Sequence, residues 1–124
     1  AQLRYIHERK TSALLCCSVR LGGMSANCTP PQLEALTQFG YNVGLAFQII
    51  DDILDVTQTS EQLGKTAGKD TAAQKATYPA IVGLEKSRKI ARQLTGRAFA
   101  SLNIFRGRAV ALEALAAHLL QRNK

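Results

Sequence analysis

Phe47-Gln48-Ile49-Ile50-Asp51-Asp52-Ile53-Leu54-Asp55 sets three aspartates into an otherwise apolar run. On a helix of about 3.6 residues per turn, Asp51 and Asp55 stack one turn apart and Asp52 sits beside them. Gln48 lies one turn earlier on the same side, and Tyr41 and Gly44 continue that sector upstream. Val43, Ala46, Phe47, Ile49, Ile50, Ile53 and Leu54 fill the rest of the circumference. A helix apolar over more than half its surface is buried in a larger helical body. The expected fold is therefore all-α, part of a helical bundle.

The acidic stripe carries the chemistry. Like charges one turn apart repel by roughly 0.2–0.5 kcal/mol per pair on an exposed helix. Gathering them gains nothing unless a cation stands opposite. Hard divalent ions such as Mg²⁺ take oxygen ligands and bridge carboxylates to phosphate-bearing substrates. The competing reading is a solvated acidic face. A narrow stripe on a mostly apolar helix points instead to a cavity.

Working outward from this helix, strand alternation never persists. A first helix is expected over about residues 1–21, ended by Gly22-Gly23, with a loop over 24–29. Thr29-Pro30-Pro31-Gln32 reads as a helix start: Thr29 caps, Pro30 takes the first helical position and Gln32 completes a capping box. That second helix should run to about Thr57. Residues 58–69 are polar and glycine-bearing and read as a loop, after which Asp70 can cap a short turn. Thr77-Tyr78-Pro79 opens another helix that continues to Leu102, with a break expected near Gly83. Gly107 separates a last helix over about 108–121.

Length and composition narrow the classes. The chain has 124 residues, enough for one small domain. No apolar stretch approaches the roughly 20 residues of a membrane span. No signal peptide is expected, because no apolar run precedes a cleavage site. The start lacks Met and falls inside a helical pattern (Leu3, Ile6, Ala13, Leu14, Cys17), as a cut would. Cys16, Cys17 and Cys28 are odd in number and form no CxxC pair, and His7 and His118 have no ligand spacing to them. They read as small packing residues in a reducing compartment, not as disulfides or a zinc site. The net charge is +7, yet from Thr11 to Gly64 Arg20 is the only basic residue, and from Lys86 onward nine basic residues face one acid, Glu113. No helix-turn-helix, zinc finger or aromatic RNA motif accompanies this basic end, so nucleic acid is not the expected partner.

Lys10 projects into the apolar face formed by Leu3, Ile6, Ala13, Leu14, Cys17 and Leu21. It must snorkel, pair with an acid or face a polar cavity. Thr11 follows with a hydroxyl. Lys65 and Lys69 lie on the loop after the aspartates, each preceded by glycine. Taken alone they read as a solvated basic loop. Carboxylates, then lysines, then Asp70 together make what a diphosphate requires: metals for its oxygens and ammonium groups for the remaining charge.

These residues carry a specific resemblance. The chain is similar to the C-terminal half of trans-isoprenyl diphosphate synthases, and looks closest to the bacterial farnesyl diphosphate synthase (geranyltranstransferase) branch. The matching stretches are His7-Glu8-Arg9-Lys10-Thr11, Gly44 through Asp55, Leu63-Gly64-Lys65, Gly68-Lys69-Asp70, Lys75-Ala76-Thr77-Tyr78-Pro79-Ala80, Gly83-Leu84-Glu85 and Leu119 through Lys124. A lone DDxxD is weak; FQxxDDxxD followed by LGK, GKD and ATYP is strong. The resemblance implies an isoprenoid-synthase helical bundle over residues 1–124. It implies that Asp51, Asp52 and Asp55 form the second aspartate-rich motif, which helps bind Mg²⁺ (or Mn²⁺) and an allylic diphosphate. Lys10 and Lys65 match diphosphate-contacting lysines. Thr11 and Gln48 match the lining near the reacting carbons, and Phe47 and Lys69 are expected among the substrate-binding residues. Asp70 matches an acid behind the metal ligands. Arg122 and Lys124 match an end that closes over the homoallylic substrate. The implied reaction is ionisation of an allylic diphosphate, attack by isopentenyl diphosphate, and proton loss to the departing diphosphate. A cytoplasmic homodimeric prenyltransferase is expected, with farnesyl diphosphate its product.

One departure matters. The first aspartate-rich motif and the basic residues that bind isopentenyl diphosphate are missing, so negligible turnover is expected from these residues alone. Two other readings stand beside the enzyme: a non-catalytic helical partner subunit, and a terpene cyclase relative.

Overall fold

A computed structural model of the chain describes residues 2, 11–62 and 77–121. The described residues are helical, with no strand among them. The elements are α1 (Ala13–Ser25), α2 (Pro30–Gln62), α3 (Tyr78–Val82), α4 (Leu84–Ser101), a 3₁₀ turn (Leu102–Phe105) and α5 (Val110–Leu120). α2 is the central element. α1 and α4 lie against it, α3 touches both α2 and α4, and α5 also reaches α2. None of the described helices is long and apolar enough to cross a membrane.

The start of α2 follows its sequence signals. Thr29 N–H donates to Gln32 Oε1 at 2.8 Å and Gln32 N–H donates to Thr29 Oγ1 at 3.3 Å, a reciprocal capping box. The helix does not stop near Thr57; it continues to Gln62. Gln58-Thr59-Ser60-Glu61-Gln62 contains neither glycine nor proline, so its polarity alone does not end a helix.

The expected end of the first helix at Gly22-Gly23 is corrected. α1 passes through both glycines to Ser25 and ends in a left-handed cap at Asn27, φ 57°. Cys28 N–H donates to the Gly23 carbonyl and Asn27 N–H to the Met24 carbonyl, each at 3.0 Å, the Schellman arrangement. Gly23 serves packing instead: a Cβ there would stand 2.6 Å from Leu36 Cδ1.

α1 and α2 approach closely because glycine lines the contact. A Cβ on Gly40 would meet Cys16 Cα at 2.9 Å, and one on Gly44 would meet Ser12 Cα at 2.5 Å. Polar groups fasten the same seam. Ser12 Oγ donates to the Tyr41 carbonyl at 3.1 Å, Arg20 donates to Thr37 Oγ1 at 2.7 Å, and Cys16 Sγ donates to the Thr37 carbonyl at 3.3 Å. Burial pushes the Cys16 thiol pKa up, partly offset by the Arg20 guanidinium. All three cysteines are free, as expected, but Cys17 is exposed and is not a packing residue.

The core lies between α2 and α4. Phe39, Val43, Ala46, Ile49 and Ile53 meet Ala91, Leu94 and Ala98, and Leu102, Ala116 and Leu120 close the cluster. Each large aliphatic side chain taken out of water contributes about 1.5–3 kcal/mol. The break at Gly83 occurs as expected, at φ 94° and ψ 157°, a conformation that side chains rarely adopt. α5 begins at Val110 because Arg106 and Gly107 are both left-handed, φ 51° and 80°. Apolar side chains remain on outer faces, notably Leu14 (67% exposed), Leu21 (57%) and Met24 (50%) on α1.

Candidate active site

The helical period places the acidic stripe as expected on one side of α2, and the structure divides it by surroundings. At its upper end Gly44 is buried against Ser12. Gln48, 8% exposed, donates its side-chain amide to Thr11 Oγ1. Thr11 and Ser12 form a π-type turn just before α1, a backbone irregularity common at functional sites. Thr11 and Gln48, 37 residues apart in sequence, are thus joined directly.

Lower on α2 the aspartates part company. Asp51 is exposed, while Asp52 and Asp55 are half-buried. Asp51 and Asp55 are turned only about 40° apart around the helix, a pair on one face. Asp52 is turned toward α3, where its Oδ2 accepts the Tyr78 N–H at 3.3 Å. Phe47 is half-buried and packs on the core cluster.

Among the described residues no three His, Cys, Asp or Glu side chains converge on one cation position. A cleft of about 810 Å³ lies on the other side of α2, bordered by Ile50, Leu54, Thr57, Arg88 and Arg92, so it is not the cavity the acids were expected to face. Asp51 and Asp55 still suit Mg²⁺, which is commonly held by one or two carboxylates, with waters and substrate phosphate completing the shell. Lys10, Lys65, Lys69, Asp70, Arg122 and Lys124 lie outside the described residues.

Sequence reasoning missed Ser12 and the Thr77-Tyr78 turn as parts of this region. The Gly40-x-x-x-Gly44 spacing was the signal for a close helix approach, and hence for Ser12. Nothing local announced that Tyr78 meets Asp52.

Comparison with known proteins identifies the family. The polyprenyl synthetase family model matches residues 1–106, and the chain belongs to that family. A dimethylallyltranstransferase of Fischerella ambigua (strain UTEX 1903) is 47% identical over 122 residues, 98% of this chain and 35% of its own length. A heterodimeric geranylgeranyl pyrophosphate synthase large subunit 1, chloroplastic, of Arabidopsis thaliana is 51% identical over 96 residues, 77% of this chain and 26% of its own. The crystal structure of a candidate farnesyl-diphosphate synthase from Marinomonas sp. MED121 superposes with a TM-score of 0.78 at 32% identity, covering 96% of this chain and 39% of that one. The chain thus spans about a third of the length of the curated relatives it matches. The family consists of prenyltransferases, enzymes of isoprenoid biosynthesis.

Proposed function

We propose that this chain supplies the second-aspartate half of an Mg²⁺-dependent trans-prenyltransferase active site. The enzyme joins isopentenyl diphosphate to an allylic diphosphate and makes a short-chain prenyl diphosphate. The observation that carries this reading is the stripe on α2, with Asp51 and Asp55 paired below the joined Thr11 and Gln48. It is read in a chain of the polyprenyl synthetase family.

In this reading Asp51 and Asp55 would hold Mg²⁺, with Asp70 as the supporting acid. Bound there, Mg²⁺ (or Mn²⁺) would neutralise diphosphate oxygens and make the diphosphate a better leaving group. Lys10, Lys65 and Lys69 donate to the diphosphate and stabilise the charge that develops as the allylic bond breaks. Thr11 and Gln48, fixed against each other, line the position of the allylic carbons, and Phe47 on the apolar side excludes water from the cation. Arg122 and Lys124 close over the homoallylic diphosphate, and the departing diphosphate takes the proton. The clustered aspartates of the sequence are Asp51, Asp52 and Asp55. Opposing carboxylates therefore come from another segment, and the 124 residues alone give negligible turnover.

The outward face of α1, with Leu14, Leu21 and Met24, suits a subunit contact, and a homodimer of the complete enzyme is proposed. Farnesyl diphosphate as product and a cytoplasmic location belong to the same proposal. Several relatives are named for geranylgeranyl products and carry chloroplastic names. A non-catalytic partner subunit is the second reading, favoured by the relative named as a subunit of a heterodimer.

A chimera tests the proposal: this chain replaces its aligned third of the Fischerella relative. Product is followed by chromatography of labelled prenyl diphosphates with Mg²⁺ or EDTA. The enzyme reading expects Mg²⁺-dependent product from the chimera and none from the isolated chain. A folded but inactive chimera would favour the partner-subunit reading.

A further inference from the structure

The N–H groups of the first turn of α3 find acceptors close by. Pro79 has no N–H. Ala80 N–H donates to Thr77 Oγ1 at 3.3 Å, and Ile81 N–H donates to the Thr77 carbonyl at 3.1 Å. Tyr78 N–H goes to Asp52 Oδ2, 3.3 Å away on a residue 26 positions earlier. Thr77 is only 3% exposed and Tyr78 half-buried, so solvent is a poor substitute acceptor at this junction. Left without an acceptor, a buried N–H costs its desolvation.

We propose that Asp52 is a positioning residue of the acid stripe, holding the start of α3 against α2, and is not a direct metal ligand. The carboxylate is well suited to this, since an ionised acceptor makes the stronger bond to a backbone N–H. Around α2, Asp52 is turned about 100° from Asp51 and about 60° from Asp55, at the edge of the face that Asp51 and Asp55 share. One carboxylate oxygen accepts from α3, which draws the side chain in that direction. The Asp52–Tyr78 bond thereby keeps the Thr77-Tyr78-Pro79 turn beside the metal-facing pair. That consequence for the reaction rests on the prenyltransferase reading; the contact itself does not.

An amide oxygen can accept from Tyr78 but is a poor replacement for a carboxylate on Mg²⁺, which separates the two roles. Asp52→Asn, Asp52→Ala and Asp51→Asn are made in this chain. Hydrogen exchange at the Tyr78 amide is read by NMR, with thermal midpoints and Mn²⁺ affinity by electron paramagnetic resonance in the presence of inorganic pyrophosphate. Asp52→Ala should speed Tyr78 exchange by about tenfold or more and lower the midpoint by roughly 3–5 °C. Asp52→Asn should restore both close to the parent, and Asp51→Asn should disturb neither. Mn²⁺ affinity should fall more in Asp51→Asn than in Asp52→Asn. Asp52→Asn behaving like Asp52→Ala at Tyr78 would overturn the proposal. So would unchanged exchange in both, or a loss of Mn²⁺ affinity in Asp52→Asn equal to that in Asp51→Asn. A parent chain that takes up no Mn²⁺ counts against the metal reading, and the Tyr78 exchange then decides this proposal by itself.

Discussion

Gly44→Ala asks whether α1 and α2 meet as closely as the structure places them. The added Cβ would stand 2.5 Å from both Ser12 Cα and Ser12 Oγ and 2.9 Å from Ser12 N. Carbon atoms prefer about 3.5–4.0 Å, so one helix must move by about an ångström. The obstacle is backbone, which cannot rotate away as a side-chain tip would. Overpacking of this kind costs about 1–3 kcal/mol, and the upper part of that range applies here. Alanine in place of a helical glycine returns about 1 kcal/mol. The net loss is therefore about 1–2 kcal/mol, a fall in Tm of roughly 3–10 °C for a domain of this size. Gly96→Ala is the control, because a Cβ there meets nothing within 4 Å on the exposed side of α4. It should raise stability by about 0.5–1 kcal/mol. Denaturant and thermal unfolding of both variants give the comparison. The side-chain amide resonance of Gln48 should also shift in Gly44→Ala, since the Thr11–Gln48 bond spans the same seam. If Gly44→Ala and Gly96→Ala stabilise alike, the close approach is wrong, and the Thr11–Gln48 junction loses its support.

Gly22→Ala should stabilise by about 0.5–1 kcal/mol, because Gly22 is an ordinary helical residue with open space at its Cβ position; a loss of stability on unfolding would mean that the helix ends at the glycines after all. Cys17 should react with iodoacetamide well before Cys16, from exposure alone, as peptide mass analysis after timed labelling would show. The Cys16 pKa is raised by burial, so the folded chain holds that proton more tightly than the unfolded one. Its contribution is complete below the unfolded thiol pKa and is lost as pH rises through the folded value. Cys16→Ala should therefore flatten the alkaline decline of the unfolding midpoint, and an unchanged decline would contradict the assignment.

The parts of the fold set by local chemistry were readable in the chain. The capping box at Thr29 and Gln32, the Thr77 cap before Pro79 and the break at Gly83 each depend on residues within one turn. The period of the acidic stripe was readable for the same reason. Gly22 and Gly23 misled because a glycine pair resembles a stop signal, while Gly23 is required by Leu36, thirteen positions on. α2 runs past Thr57 because the polar residues that follow, Gln58 through Gln62, include no glycine or proline to stop a helix. Within the site, Thr11 and Gln48 came forward through family likeness, and the structure joins them. The division of labour among the aspartates depends on where α3 returns to α2, and no spacing in the sequence carries that information. Asp51, Asp52 and Asp55 look equivalent in the sequence, and the Tyr78 contact tells Asp52 apart.

The most direct test is Asp51→Ala in the chimera with the Fischerella relative, measured as kcat/KM for an allylic diphosphate at saturating Mg²⁺. Loss of a carboxylate that holds the metal should lower kcat/KM by about 100-fold or more while helicity and Tm stay near those of the parent chimera. A value within about twofold of the parent would mean that the stripe on α2 is a solvated acidic face, and the metal-diphosphate reading would be abandoned.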